Sequence, residues 1–238
     1  MPDAGIISLL VVSLIAGLAM PAGALLAFGR GIQPKWREKE LRHGVLALGA
    51  GALVSAVALV LVPEGIKDVS VLAACLCFVG GALAFMALDI YLAKNKTPAS
   101  QLAAMLSDFI PESLALGTTA ALGGSTLLLG LLITVQNFPE GFNAYREMRA
   151  KDRDNRKKIV LLFCVMALLG PIMSAIGYFW LADYPVVISG IMLFAAGGIL
   201  YSVLQDIAPQ IRMENHWLPP LGGILGFLIG MIGYMLEG

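Results

Sequence analysis

Two stretches hold the residues best suited to chemistry. They are Asp108-Phe109-Ile110-Pro111-Glu112 and Gln136-Asn137-Phe138-Pro139-Glu140. Each lies in a largely apolar run. Residues four apart share one face of a helix, so Asp108 aligns with Glu112 and Gln136 with Glu140. Each proline lacks a backbone N–H and frees the carbonyl one turn earlier, at Ser107 and at Val135. In lipid, a carboxylate is costly and a freed carbonyl must find a helix neighbour, water or an ion. Two such helices face to face would set Asp108, Glu112, Gln136, Asn137 and Glu140 beside bare carbonyls at one depth. That is a cation site made of oxygens.

The elements that must position these residues are membrane spans. The chain is 58% hydrophobic and 13% charged, against roughly half and a quarter for a soluble domain. Its mean hydropathy is +0.84. About 20 apolar residues cross a bilayer as a helix. On that rule the sequence predicts an all-α membrane protein, a single transmembrane domain over residues 1–238, with eight spans. They run roughly 5–28, 44–63, 69–93, 101–122, 125–145, 159–181, 186–208 and 218–236. Spans four and five carry the polar stretches and have the weakest hydropathy signal. The first run has no Lys or Arg before Arg30 and is too long for a signal-peptide core, so it reads as a span. Glycine pairs such as Gly80-Gly81, Gly197-Gly198 and Gly222-Gly223 permit close helix contact.

Charge orients the spans. Of the 16 basic residues, 15 fall in the inferred loops after spans one, three, five and seven, and Lys67 alone falls on the other side. The positive-inside rule makes the basic side cytoplasmic. Both termini are then outside a cytoplasmic membrane, and an even number of spans agrees in placing them on the same side. The loops are short and leave no room for a soluble catalytic domain, and no nucleophile with a base is visible, so no enzyme is expected. No basic face on a folded domain suggests nucleic acid. The expected partners are the lipid bilayer and a divalent metal ion.

Four more polar residues sit near span ends: Glu64 at the outer end of span two, Asp89 at the inner end of span three, and Gln205 with Asp206 at the inner end of span seven. They read either as interfacial residues or as the mouths of a path through the central cluster. Cys75, Cys77 and Cys164 read as small packing residues, and His43 and His216 as solvated residues at loop edges.

These residues also carry a likeness. The chain resembles the ZIP (zinc/iron-permease) transporters. Their span four reads His-Asn-x-Pro-Glu-Gly, where this chain has Asp108-Phe109-Ile110-Pro111-Glu112-Ser113. Their span five reads His or Gln, then Asn or Asp, then x-Pro-Glu-Gly, where it has Gln136-Asn137-Phe138-Pro139-Glu140-Gly141. Leu61-Val62-Pro63-Glu64 is similar to the family's Leu-Leu-Pro-Glu, and Gln205-Asp206 through Pro209 is similar to a span-seven segment ending in His-Glu and a proline. The resemblance implies an inverted repeat, spans one to three and six to eight around spans four and five. It also implies transport of Zn²⁺, Fe²⁺ or Mn²⁺, no resident cofactor, and a homodimer. The chain departs from the pattern at Asp108 and Phe109, at Gln205, and at Gly170, where the family has a bridging carboxylate before Pro171. The resemblance with these departures implies one metal position rather than two. Carboxylate and amide ligands suit Mn²⁺, Mg²⁺ or Fe²⁺ relatively better than imidazoles would. Two other readings stay open: a ZIP-like sensor or binding protein that does not transport, and a proton-coupled carrier of an organic cation.

Overall fold

The computed structural model describes residues 2–29, 35–95, 98–124, 126–151, 156–181, 183–211 and 217–237. Among these residues there are eight long helices and no strand. Helix α1 is Pro2–Gly29. Helix α2 covers 35–65, with a π turn at Val57–Leu61. Helix α3 is Val71–Asn95, α4 is Pro98–Ala121 and α5 is Thr126–Lys151. Helix α6 covers 156–181, interrupted at Leu168 and ending in a π turn, Gly177–Leu181. Helix α7 covers 185–211 with a π turn at Val203–Ile207, and α8 is Pro219–Glu237.

Six of these helices are long and apolar enough to cross a membrane: α1, α2, α3, α6, α7 and α8. The protein is therefore a multi-pass membrane protein. Helices α4 and α5 are not among the six, because their middles carry the polar stretches. Two expected boundaries are corrected. The basic segment placed in a loop before span two is helical from Lys35, and α5 runs on to Lys151 through residues expected to be loop. Lys, Arg and Glu are good helix formers, which a hydropathy reading does not register. Lys96, Arg153, Arg212 and His216 lie outside the described residues.

The helices pack in a repeating pattern. Helix α1 lies along α5, and α6 along α4; α2 lies along α8, and α3 along α7; α2 also meets α5, and α7 meets α4. Exchanging α1 with α6, α2 with α7, α3 with α8 and α4 with α5 turns each of these contacts into another. Backbones touch in the same four pairings. A Cβ on Gly23 would stand 2.0 Å from the carbonyl oxygen of Phe138 in the α1–α5 pair, and one on Gly117 1.9 Å from that of Ser174 in the α4–α6 pair. In the α2–α8 pair a Cβ on Gly51 would stand 1.9 Å from the carbonyl oxygen of Gly223, and in the α3–α7 pair one on Gly81 would stand 1.9 Å from that of Phe194. Small residues that let backbones approach are how helices associate in lipid, where burial of apolar area gives no drive.

Two of the three π turns follow the same pairing, and the third, at the end of α6, has no counterpart in α1. One in α2 precedes Pro63 and one in α7 precedes Pro209. Each proline removes an i to i−4 bond, and a π turn just before it takes up the mismatch. The large side chains left exposed are apolar and crowd the outer helices, for example Val71, Leu72 and Leu76 on α3 and Leu221, Ile224 and Leu236 on α8. Only 11% of the α3 span and 17% of the α8 span are buried, against 61% for α2, which places α3 and α8 at the rim.

Candidate functional site

Helices α4 and α5 cross the middle of the bundle and bring their polar stretches together. Glu112 is 1% exposed and Gln136 0%. The Gln136 side-chain amide donates from Nε2 to both oxygens of the Glu112 carboxylate. This contact spans 24 residues of sequence and fixes the register of the two helices. Asn137, also buried, donates from Nδ2 to the carbonyl of Ala16 on α1 at 2.9 Å. Asp108 and Glu140 are half-buried on the same two helices. The charge of Asp108 acts on both Glu112 and Glu140. All four charged or amide residues of the central cluster, with Asn137, therefore lie in one neighbourhood.

Their oxygens are left without partners. Asp108 Oδ1, Gln136 Oε1, Asn137 Oδ1 and Glu140 Oε2 are buried and accept no hydrogen bond. A buried polar atom without a partner costs roughly 1–3 kcal/mol, and natural proteins leave few. Four acceptors orphaned around one buried carboxylate is the pattern expected where a cation supplies the missing partner. Among the described residues, no three His, Cys, Asp or Glu side chains stand close enough together to hold a metal ion. A cation here must therefore draw on the amide oxygens of Gln136 and Asn137 as well as on carboxylates.

The neighbouring helices shape the other walls. Phe109 is 1% exposed, and its ring is seated against Gly170 of α6. A Cβ at Gly170 would stand 2.9 Å from the ring and 2.7 Å from the carbonyl oxygen of Ser13. The two departures from the family pattern thus touch: the phenyl ring fills the space beside Gly170. Ser174 of α6 donates to the carbonyl of Ser113 at 2.9 Å, one residue past Glu112, and holds α4 against α6. Pro139 packs against Gly49 of α2. The sequence singled out Phe109 and Gly170 separately, but not that they meet, nor the contacts of Ser13, Ser174 and Ser113, because nothing local marks them.

The residues expected at the mouths divide. The charge of Asp206 acts on Asp108 and that of Asp89 on Asp206, and the Tyr201 hydroxyl donates to Asp89 at 3.5 Å. Asp89 and the exposed Asp206 therefore lie close enough to be linked electrostatically to the central cluster. Gln205 is exposed on the same π turn. Glu64 is instead held at 2.6 Å by Lys67 on the surface at the end of α2. Leu61, Leu116, Leu129, Leu132 and Ile133 are fully buried in the apolar core. Of the residues expected to be passive, Cys75 is exposed among lipid-facing side chains and Cys77 and Cys164 are half-buried, while His43 lies within α2 rather than at a loop edge.

No family model matches the sequence, and no curated protein matches it significantly.

Proposed function

We propose that this protein carries a divalent metal cation across the cytoplasmic membrane by a ZIP-type mechanism, with α4 and α5 as additional spans. The observation that carries the reading is the buried Glu112 carboxylate, bound by the Gln136 amide and ringed by orphaned oxygens of Asp108, Gln136, Asn137 and Glu140. Asp108, Glu112 and Glu140 supply negative charge to offset a dication, and Gln136 and Asn137 add neutral oxygens. The cation exchanges its water for these ligands and leaves toward Asp206 and Asp89, which are linked electrostatically to the cluster. Soft imidazole and thiolate are missing from this ligand set, which favours Mn²⁺ or Fe²⁺ over Zn²⁺ relative to a histidine-rich site.

The packing pattern supports an inverted repeat. The exchange pairs α1 to α3 with helices five places along the chain, and α4 with its neighbour α5; both shifts are odd numbers. If all eight helices span, equivalent helices run in opposite directions through the membrane. Alternating access is then movement of α1, α4, α5 and α6 against α2, α3, α7 and α8. The close approaches of glycine to backbone named above lie within these two groups, between α1 and α5, α4 and α6, α2 and α8, and α3 and α7. Transporters of this kind place their sites at the repeat interface near mid-membrane.

One observation favours a second reading, a metal-binding protein that does not transport: Phe109 and Gly170 stand where the resembled family has ligands. Uptake into vesicles separates the two. Purified protein in liposomes containing a metal-sensing dye takes up Mn²⁺ saturably if it transports. Glu112→Gln keeps the shape, removes the charge and lowers that uptake at least tenfold. Wild-type uptake at the rate of empty liposomes, with Mn²⁺ still bound by the protein in detergent, selects the second reading.

A further inference from the structure

The two ends of the Gln136 amide are in opposite situations. Its Nε2 serves both oxygens of the buried Glu112 carboxylate, while its Oε1 is buried with no partner. That orientation is what an empty site requires. An amide turned over would set Oε1 against the carboxylate, acceptor to acceptor, and withdraw the donor from both Glu112 oxygens. The neighbouring amide is anchored differently. Asn137 donates from Nδ2 to the Ala16 carbonyl of α1 at 2.9 Å, and its Oδ1 is also without a partner. A cation in the cluster takes nothing from that anchor, so Asn137 presents the same oxygen whether the site is empty or full. Gln136 is anchored on a carboxylate that the cation itself needs. With a cation on Glu112, the Nε2 hydrogens face positive charge, and Oε1 is the end that attracts it. The torsion that exchanges the two ends is broad and two-fold. Amide nitrogen and oxygen are also nearly the same in outline, so the group can turn in place without repacking the core around it.

We propose that Gln136 is a stand-in for the cation: its amide nitrogen holds Glu112 in the empty site, a dication enters by displacing it, and the same side chain then offers Oε1 as a ligand. The inference rests on the reading of the Asp108–Glu140 cluster as a dication site. Displacement makes Gln136 a specificity-determining residue. The hydrogen bonding given up is the same for any cation, but the attraction between carboxylate and ion doubles with the charge of the ion. A monovalent cation such as Na⁺ recovers less than a dication does and leaves the amide in place.

Two measurements on purified full-length protein test it. The first uses wild type with isotope-labelled glutamine side-chain nitrogen and glutamate carboxyl carbon, and Zn²⁺ as a diamagnetic dication. Solid-state magnetic resonance reads a short nitrogen–carbon coupling between Gln136 and Glu112 in the metal-free protein, assigned by its absence in Glu112→Gln. Saturating Zn²⁺ abolishes that coupling. A coupling that persists with Zn²⁺ bound, or none in the metal-free protein, overturns the inference and leaves the site standing. The second is titration of Mn²⁺ into wild type and Gln136→Met, in sodium chloride or in choline chloride at the same ionic strength, about 0.15 M. Met keeps the length of the side chain and has no donor. Na⁺ then reaches Glu112 and lowers the apparent Mn²⁺ affinity of Gln136→Met by about threefold or more, while wild type has the same affinity in both salts. A loss of affinity in Gln136→Met that is equal in the two salts is what a plain ligand gives, and it overturns the inference, as does equal competition by Na⁺ in both proteins. If Gln136→Met does not fold, the resonance measurement decides alone. Wild type that binds neither Zn²⁺ nor Mn²⁺ overturns the site, and this inference with it.

Discussion

On the proposed reading, single side chains decide how many cations the cluster accommodates. The Phe109 ring lies against Gly170, so the two positions are sterically coupled. Gly170→Glu alone forces a side chain into the ring and into the Ser13 carbonyl. Overpacking of this kind costs typically 1–3 kcal/mol, seen as a lower Tm in detergent. Adding Phe109→Asn removes the ring, recovers part of that loss, and raises bound Mn²⁺ from about one to about two per chain by elemental analysis. Equal stability losses in the single and double variants would show that the ring is not what limits the space. Much of this site was legible in the sequence. The repeated spacing of a polar residue, a proline and a glutamate put Glu112 and Gln136 on helix faces that meet. The contacts of Phe109 with Gly170, Ser174 with Ser113 and Arg42 with Asn143 were not legible, because they join residues 61 or more apart whose local sequence carries no sign of a partner.

At the scale of the helix, neighbouring glycines with the same local sequence have opposite roles. Gly81 on α3 touches the backbone of α7, where a Cβ would stand 1.9 Å from the Phe194 carbonyl oxygen. Gly80 has nothing within 4 Å of such an atom. Gly81→Ala must push α3 off α7 and lowers Tm. Gly80→Ala gains up to about 1 kcal/mol of helix propensity and holds or raises it. Thermal unfolding of the two variants in one detergent reads the difference, and a matching loss in both would put the α3–α7 contact in error. The sequence marked the pair as a contact candidate without saying which glycine turns inward, since periodicity in an all-apolar helix does not separate a lipid face from a protein face. For the same reason the ends of α2 and α5 were misplaced: apolar length locates the part of a helix inside the bilayer, and charged helical turns continue beyond it.

At the scale of the whole molecule, the positive-inside rule predicts a direction from the charges. With α4 and α5 spanning, the basic segments fall on one side and both termini on the other. In a variant lacking Cys75, Cys77 and Cys164, a cysteine at Thr126 is expected to react with an impermeant thiol reagent in intact cells, and one at Asn155 only after the membrane is opened. Reaction of the residue-155 cysteine in intact cells would invert the orientation. The buried oxygens of Asp108, Glu112, Gln136 and Glu140 converge on one place, the crossing of α4 and α5. Anomalous X-ray scattering from crystals grown with Mn²⁺ tests that convergence most directly. The account predicts a single strong peak between α4 and α5, within coordination distance of Glu112 or Glu140 and of the Gln136 side chain, absent in Glu112→Gln. A peak confined to the surface carboxylates, or one at the crossing that survives Glu112→Gln unchanged, would contradict it.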